Sequence, residues 1–314
     1  MKIKIHLIAL VCCLTACGHG EADPAASCGH LDNIKDFKSE FVAARTVRVW
    51  TPSCYDPARK HDVLYMHDGQ MLFDATTSWN RQEWRIDETL DSLIEAGAVR
   101  PCIVVGIDNG RNRIGEYCPD DVAEFLPEAE SVYDGVEPEG NDYLRFLVEE
   151  VKPFIDNTYS VYTDPAHTFV MGSSCGGLIS SYAICKYPDV FGGAACLSTH
   201  STFMSNPVTR KGKADSAEAY IKYLKAHLPA ANTALLYFDR GDKTIDAGYQ
   251  EQQEKINAAI LSLGWDGEHF LYRFYPGHEH CERDWAARLQ VPLEFLLGIN
   301  TGGDSRSPAS HRRD

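Results

Sequence analysis

Apolar residues along this chain fall into two rhythms. Short β-rich runs recur at 41–50 (FVAARTVRVW), 61–66 (HDVLYM), 102–107 (CIVVGI), 168–171 (TFVM), 191–198 (FGGAACLS), 234–238 (ALLYF) and 270–275 (FLYRFY). The first and last alternate apolar with polar positions, as half-buried strands do. CIVVGI is continuous, as expected of a strand covered on both faces. Between these runs the spacing turns helical: at 86–96, with Ile86, Leu90, Leu93 and Ile94, at 141–159, in the stretch after Gly177, and at 216–227, 247–263 and 283–297. Asn141 predicts a helix cap, and Pro153 predicts a kink or an early end. Strands alternating with helices predict an α/β fold, with a mostly parallel central sheet flanked by helices, in one domain over 41–300.

The ends read differently. Met1-Lys2-Ile3-Lys4 is basic, the apolar run 5–14 is too short to span a bilayer, and Leu14-Thr15-Ala16-Cys17 resembles a bacterial lipobox. This predicts a lipoprotein signal peptide over 1–16 and diacylation of Cys17, hence export and a lipid anchor at the bacterial cell envelope, on the outer membrane or periplasmic face. Residues 17–40 read as a tether and N-terminal segment. Residues 120–140 read as an acidic, irregular surface insertion, and 301–314 as a disordered polar tail.

The formal net charge is −15, and removal of Lys2 and Lys4 with the leader would make it more negative. Recognition of nucleic acid through phosphates needs a basic surface, so that class is excluded. Of the 11 cysteines, eight remain once Cys12, Cys13 and Cys17 are set aside. Export permits disulfides, and Cys28 with Cys54 is the first candidate pair, both lying in turn-rich segments. There is no CxxC, so neither a zinc knuckle nor a thioredoxin-like site is expected.

The chemistry centres on residues 168–187, TFVMGSSCGGLISSYAICKY: a short strand, then Gly172-Ser173-Ser174-Cys175-Gly176, then helical spacing. G-x-S-x-G between a strand and a helix is the pattern of a nucleophile elbow, with Ser174 at its centre. The amide of Cys175 then points to where a reacting carbonyl oxygen would sit. A second oxyanion amide is expected after the strand 61–66, in His67-Asp68-Gly69-Gln70, from Gln70. A serine hydroxyl needs a base, and that base needs a carboxylate. Asp239, Asp242 and Asp246 all follow the strand 234–238, and Asp246 could equally cap the helix that follows. His278 and His280 both follow the last strand; the pair also has the spacing of two metal ligands, but no metal or other cofactor is called for. Asp108-Asn109-Gly110, Arg113 and Tyr117 lie beyond the strand 102–107, where ligand crevices form.

These residues resemble the Putative esterase family, the esterase D and feruloyl esterase-like α/β-hydrolases. The resemblance is carried by residues 64–74 (LYMHDGQMLFD), 105–109 (VGIDN), Arg113 with Glu116-Tyr117, Gly172 to Gly177, Gly241 with Thr244-Ile245-Asp246, and His280-x-Glu282-x-x-Trp285. It spans about residues 47–297 and departs from the family at Cys175, where methionine is common. It implies the α/β-hydrolase fold, Ser174 as nucleophile, His280 as base and Asp246 as acid. His67, Asp68, Asn109, Arg113, Tyr117, Glu282 and Trp285 become substrate-lining candidates. The expected function is hydrolysis of a carboxylic ester through an acyl-enzyme, on a small-molecule or glycan ester such as an acylated carbohydrate. Acyl transfer on the same triad and non-catalytic glycan binding at the cell surface are the alternatives.

Overall fold

The structure is a computed structural model and describes residues 25–126, 137–202 and 210–299. The segment 1–16 read as a signal peptide, Cys17 and the tail 301–314 lie outside the described residues, as does part of the acidic insertion.

Eight strands form one sheet: β1 (His30–Phe37), β2 (Arg45–Thr51), β3 (Asp62–His67), β4 (Cys102–Ile107), β5 (Thr168–Ser173), β6 (Gly193–Leu197), β7 (Leu235–Arg240) and β8 (Phe270–Phe274). Their order is β1-β2-β4-β3-β5-β6-β7-β8, antiparallel at the β1–β2 and β2–β4 pairings and parallel from there to the far edge. The helices are α1 (Ile86–Glu95), α2 (Arg113–Glu116), α3 (Gly140–Arg145), α4 (Lys152–Thr158), α5 (Cys175–Lys186), α6 (Arg210–His227), α7 (Gln250–Ser262), α8 (Glu282–Ala286) and α9 (Gln290–Leu297).

The central strands β3, β4 and β5 are buried at every position, and their apolar residues line both faces of the sheet. Val63, Tyr65, Ile103, Val105 and Val170 point to a core shared with α3 to α7. Leu64, Met66, Val104, Phe169 and Met171 point to a second core under α1, α8 and α9. This is why the continuous runs, not the alternating ones, mark the centre of the sheet.

Four expectations change. The sheet starts before residue 41: β1 lies inside 17–40, the stretch read as a tether and N-terminal segment. Its sequence HLDNIKDF is polar and half-exposed, as suits an edge strand, with Asp36 at φ 54° where the pairing shifts register. Asn141 is not the cap of its helix, which begins at Gly140; instead Asp120 accepts the Asn141 amide at 2.7 Å, and Asp121 pairs with Lys186 at 2.7 Å. Pro153 does not end the helix. The chain stays helical through a π-type stretch, Phe146–Val151, and on into α4. Pro153 has no N–H for the Glu149 carbonyl, and the wider turn lies just ahead of it. Cys28 and Cys54 are also separate thiols, as is each of the eight cysteines among the described residues.

The register brings one row of residues to a single edge of the sheet. Ser173 pairs with Leu197, Leu197 with Asp239, and Asp239 with Arg273, while His67 pairs with Ile107. Every segment that follows these residues leaves the sheet on the same side.

Candidate active site

Ser173 ends β5 and is buried; Cys175 starts α5; Ser174 alone makes the turn, at φ 58° and ψ −122°. An L-residue in that region is strained, and the surroundings must hold it there. The Ser174 amide donates to Leu197 O at 2.9 Å, and its carbonyl accepts from His200 N at 3.1 Å. Gly172 provides the room: a Cβ there would lie 2.8 Å from Gly176 C and 2.9 Å from His67 Cδ2. The elbow, the start of α5 and the loop after β3 are therefore in mutual contact.

Asp246 lies in the 3-10 turn Thr244–Gly248 after β7 and is fully buried. His280 Nδ1 is 2.6 Å from Asp246 Oδ1, while Oδ2 accepts the Ser198 hydroxyl and the Gly241 amide, each at 2.6 Å. Burial pushes the Asp246 carboxyl up, but the hydrogen bonds from His280, Ser198 and Gly241 outweigh it and hold it below the usual carboxylate range. An ionised partner at Nδ1 keeps the imidazole proton there, so the Nε2 lone pair is the basic one. The ring is held edge-on between Tyr249 and Trp285, with centroids 5.8 and 5.0 Å away. Tyr249 OH lies 2.6 Å from His200 Nδ1, so a chain of contacts joins the elbow to the imidazole.

The other candidates are committed elsewhere. Asp239 is buried against Arg288 at 2.9 Å, and Asp242 accepts from the Gly277 amide and pairs with Lys243. The His278 carbonyl accepts the Asp242 and Lys243 amides, which ties its segment to the β7 loop, while its ring lies against Tyr275.

Two amides, one at the elbow and one in the turn after β3, lie outside helical bonding. Leu178 N donates to Ser174 O, so Cys175 N precedes the first bond of α5; Met71 N donates to Asp68 O, so Gln70 N precedes the first bond of its own short turn. Gly69 lets that turn lie on β4, since a Cβ there would be 2.8 Å from Gly106 C. The turn is braced from below. Arg113 grips Asp68 with two bonds of 2.6 and 2.8 Å, Asn109 adds a third at 2.7 Å, and the Asn109 amide reaches Gln70 Oε1 at 3.2 Å. Arg48–Asp108 and Arg45–Glu116, each at 2.7 Å, fix the segment that carries Asn109 and Arg113.

Of the substrate-lining candidates, Asn109 and Arg113 keep solvent access. His67, Asp68 and Tyr117 are buried. His67 Nδ1 lies 2.7 Å from Tyr143 OH, and Tyr117 OH accepts the Asp68 amide at 3.2 Å. All three are packed against protein groups behind the turn that follows β3. Trp285 is buried behind the imidazole and stacks near Trp84, and Glu282 is buried against Asn80 Nδ2 at 2.6 Å. No spacing ties Ser198, Tyr249 or Arg288 to the motifs, whereas His200 lies in the stretch 199–206 that leaves the C-terminal end of β6, where a cleft border is expected.

Burial holds the His67 imidazole neutral, its pKa lowered to about 3, with Asp68 opposing and Arg113 adding to the effect. In an unfolded chain the ring protonates near 6.5. The native state therefore binds fewer protons, and its stability falls as pH drops from about 6.5 to about 3, by roughly 4–5 kcal/mol in all. Asp87, raised to about 7 by burial and then by Glu88, acts in the opposite sense: its contribution is present at low pH and lost as pH rises through 7. His67→Gln is therefore expected to lose less melting temperature than wild type between pH 7 and 4.5. Equal losses in the two proteins would show that another group titrates.

Residues 39–295 match the family described as "Putative esterase". The chain is 30% identical over 243 residues to the uncharacterized protein YbbA of Bacillus subtilis, covering 76% of this chain and 86% of that protein. Among solved structures it is similar to a ferulic acid esterase, with a TM-score of 0.61 and 19% identity over 85% of this chain and 96% of the other. It is also similar to the enterobactin esterase FES of Shigella flexneri, with a TM-score of 0.64 and 18% identity over 87% of this chain and 60% of the other. The chain belongs to the Putative esterase family, and is a carboxylic-ester hydrolase of the α/β-hydrolase fold.

Proposed function

We propose that the chain is an exported serine esterase that cleaves acylated carbohydrates or related esters through Ser174, His280 and Asp246. The carrying observation is the buried Asp246–His280 pair at 2.6 Å, on the sheet edge where Ser174 makes its strained turn. The Ser174 hydroxyl attacks the ester carbonyl while His280 Nε2 takes its proton. Asp246 stabilises the imidazolium, and the Gln70 and Cys175 amides receive the oxyanion. His280 returns the proton to the leaving alcohol. Water, deprotonated by the same nitrogen, then releases the acid from Ser174.

The substrate class rests on family resemblance and on Trp79, an indole 83% exposed beside the Asn80–Glu282 bond. A bare indole there suits the flat face of a sugar or aromatic ring. The names of the solved neighbours support including aromatic acids among the test esters. The lipobox supports anchoring through Cys17.

The test is one preparation with two readouts. The protein is expected in the membrane fraction, labelled by a fluorophosphonate and hydrolysing acetyl and feruloyl esters of xylan-type sugars faster than those of simple alcohols. Cys17→Ser is expected in the soluble fraction with activity intact. A folded protein that neither labels nor turns over any of these esters would refute the catalytic reading. An unaltered distribution of Cys17→Ser would refute the anchor alone.

A further inference from the structure

We propose that Ser198 is a positioning residue for ester hydrolysis: it delivers one fixed hydrogen bond to Asp246 and is itself locked by Arg288 and Trp285. The proposal rests on the assignment of Asp246 and His280 above and adds what keeps that pair in its working state.

The direction of the bond follows from the chemistry of its neighbours. Ser198 Oγ lies 2.6 Å from Asp246 Oδ2, 3.0 Å from Trp285 Nε1 and 2.8 Å from Arg288 Nη2. Indole and guanidinium nitrogens only donate. Both lone pairs of the hydroxyl are thus filled, and its single proton has one destination, the carboxylate. A free hydroxyl rotates among partners; this one cannot.

The lock is anchored in turn. Arg288 forks onto Asp239 through Nη2 and Nε, at 2.9 and 3.1 Å, and Asp239 also takes the Tyr237 hydroxyl at 3.0 Å and the Ser198 amide at 3.1 Å. Arg288 and Asp239 are both buried, so their charges compensate each other without water. The cation beside Ser198 Oγ polarises its O–H and strengthens the bond to Asp246. Ser198 holds this place at φ 44°, a left-handed backbone that a serine adopts only under constraint.

The consequence reaches the base. With Oδ2 occupied by Ser198 and Gly241, Oδ1 is left to His280 Nδ1, and the carboxylate cannot swing away. The same Trp285 whose indole locks Ser198 backs the imidazole ring. One buried cluster thereby sets the charge of the acid, the tautomer of the base and the angle of its ring.

Ser198→Gly is the discriminating variant, because glycine accepts the positive φ while the hydroxyl is removed together with its Cβ. Its kcat on a small aryl ester is expected to fall about 10- to 100-fold, with KM held within about twofold. The downfield proton resonance of the His280–Asp246 bond should shift or broaden. In an Asp246→Asn background the same change is expected to cost less than about twofold, since Ser198 acts only through that carboxylate. Arg288→Lys keeps the charge but lacks the fork that reaches both Asp239 and Ser198, so it should lower kcat in the same sense. Wild-type kcat in a folded Ser198→Gly protein, or an equal loss in the Asp246→Asn background, would overturn the proposal, the latter by showing a merely structural role. Failure of the triad reading is seen separately: Ser174→Ala would then still hydrolyse the ester, and the proposal would fall with it.

Discussion

Replacing Ser174 by glycine is expected to abolish ester hydrolysis and to raise the melting temperature. The two effects have one origin. At φ 58° and ψ −122° the residue occupies a region that glycine enters freely and a serine enters only under strain. Such strain costs about 1–3 kcal/mol, and the extra freedom of an unfolded glycine offsets about 0.5–1 kcal/mol of the relief. A net gain of about 1 kcal/mol corresponds to roughly 2 °C in a domain of this size. Turnover should fall by about 10⁵-fold or more, because no neighbouring group replaces the attacking oxygen. Ser174→Ala is the control: it removes the same oxygen but keeps Cβ and the strain, so it should be equally inactive without the added stability. Thermal melts and aryl-ester assays on the three proteins decide this. Retained activity in either variant would remove Ser174 from the mechanism. Equal melting temperatures for the glycine and alanine variants would show that the turn stores no strain.

The features legible before folding were those encoded within a few residues. The elbow is one, since its glycines must flank the serine for the strand and helix to pack; Gly172 shows this directly through its contact with Gly176. β4 is another, because CIVVGI is apolar throughout and a strand buried on both faces has no other pattern. β1 carried no such mark. As an edge strand it needs few apolar residues, and HLDNIKDF resembles a loop until β2 is there to pair with it. The acid expected after β7 was undecidable by composition: Asp239, Asp242 and Asp246 follow one strand, and what separates them is the set of partners each meets. Asp246 meets the Gly241 amide five residues before it, but Ser198 and His280 lie 48 and 34 positions away. His67 and Tyr117 misled for the same reason. Polar residues at strand ends suggest a ligand, yet Tyr143, 76 positions after His67, supplies the partner that lets the ring turn inward.

Asp246→Asn should lower kcat by about 10⁴-fold while leaving the fold and KM nearly unchanged. The carboxylate accepts from three directions: His280 Nδ1 on Oδ1, and the Ser198 hydroxyl and Gly241 amide on Oδ2. An amide offers one acceptor oxygen and one donor nitrogen, so one side must face donor to donor. The Gly241 amide cannot reverse its role, and the Ser198 proton is pinned by Trp285 and Arg288, so the oxygen turns to that side. The amide nitrogen then faces His280. The imidazole avoids the clash only by moving its proton to Nε2, which leaves no lone pair for the Ser174 hydroxyl. The base is present, correctly placed and in the wrong tautomer. This account also predicts the structure of the variant, with residue 246 unmoved and its nitrogen within hydrogen-bonding distance of His280 Nδ1. A fully active Asp246→Asn enzyme would show that Asp246 is only a brace for the turn after β7, and that the base takes its proton without a charged partner.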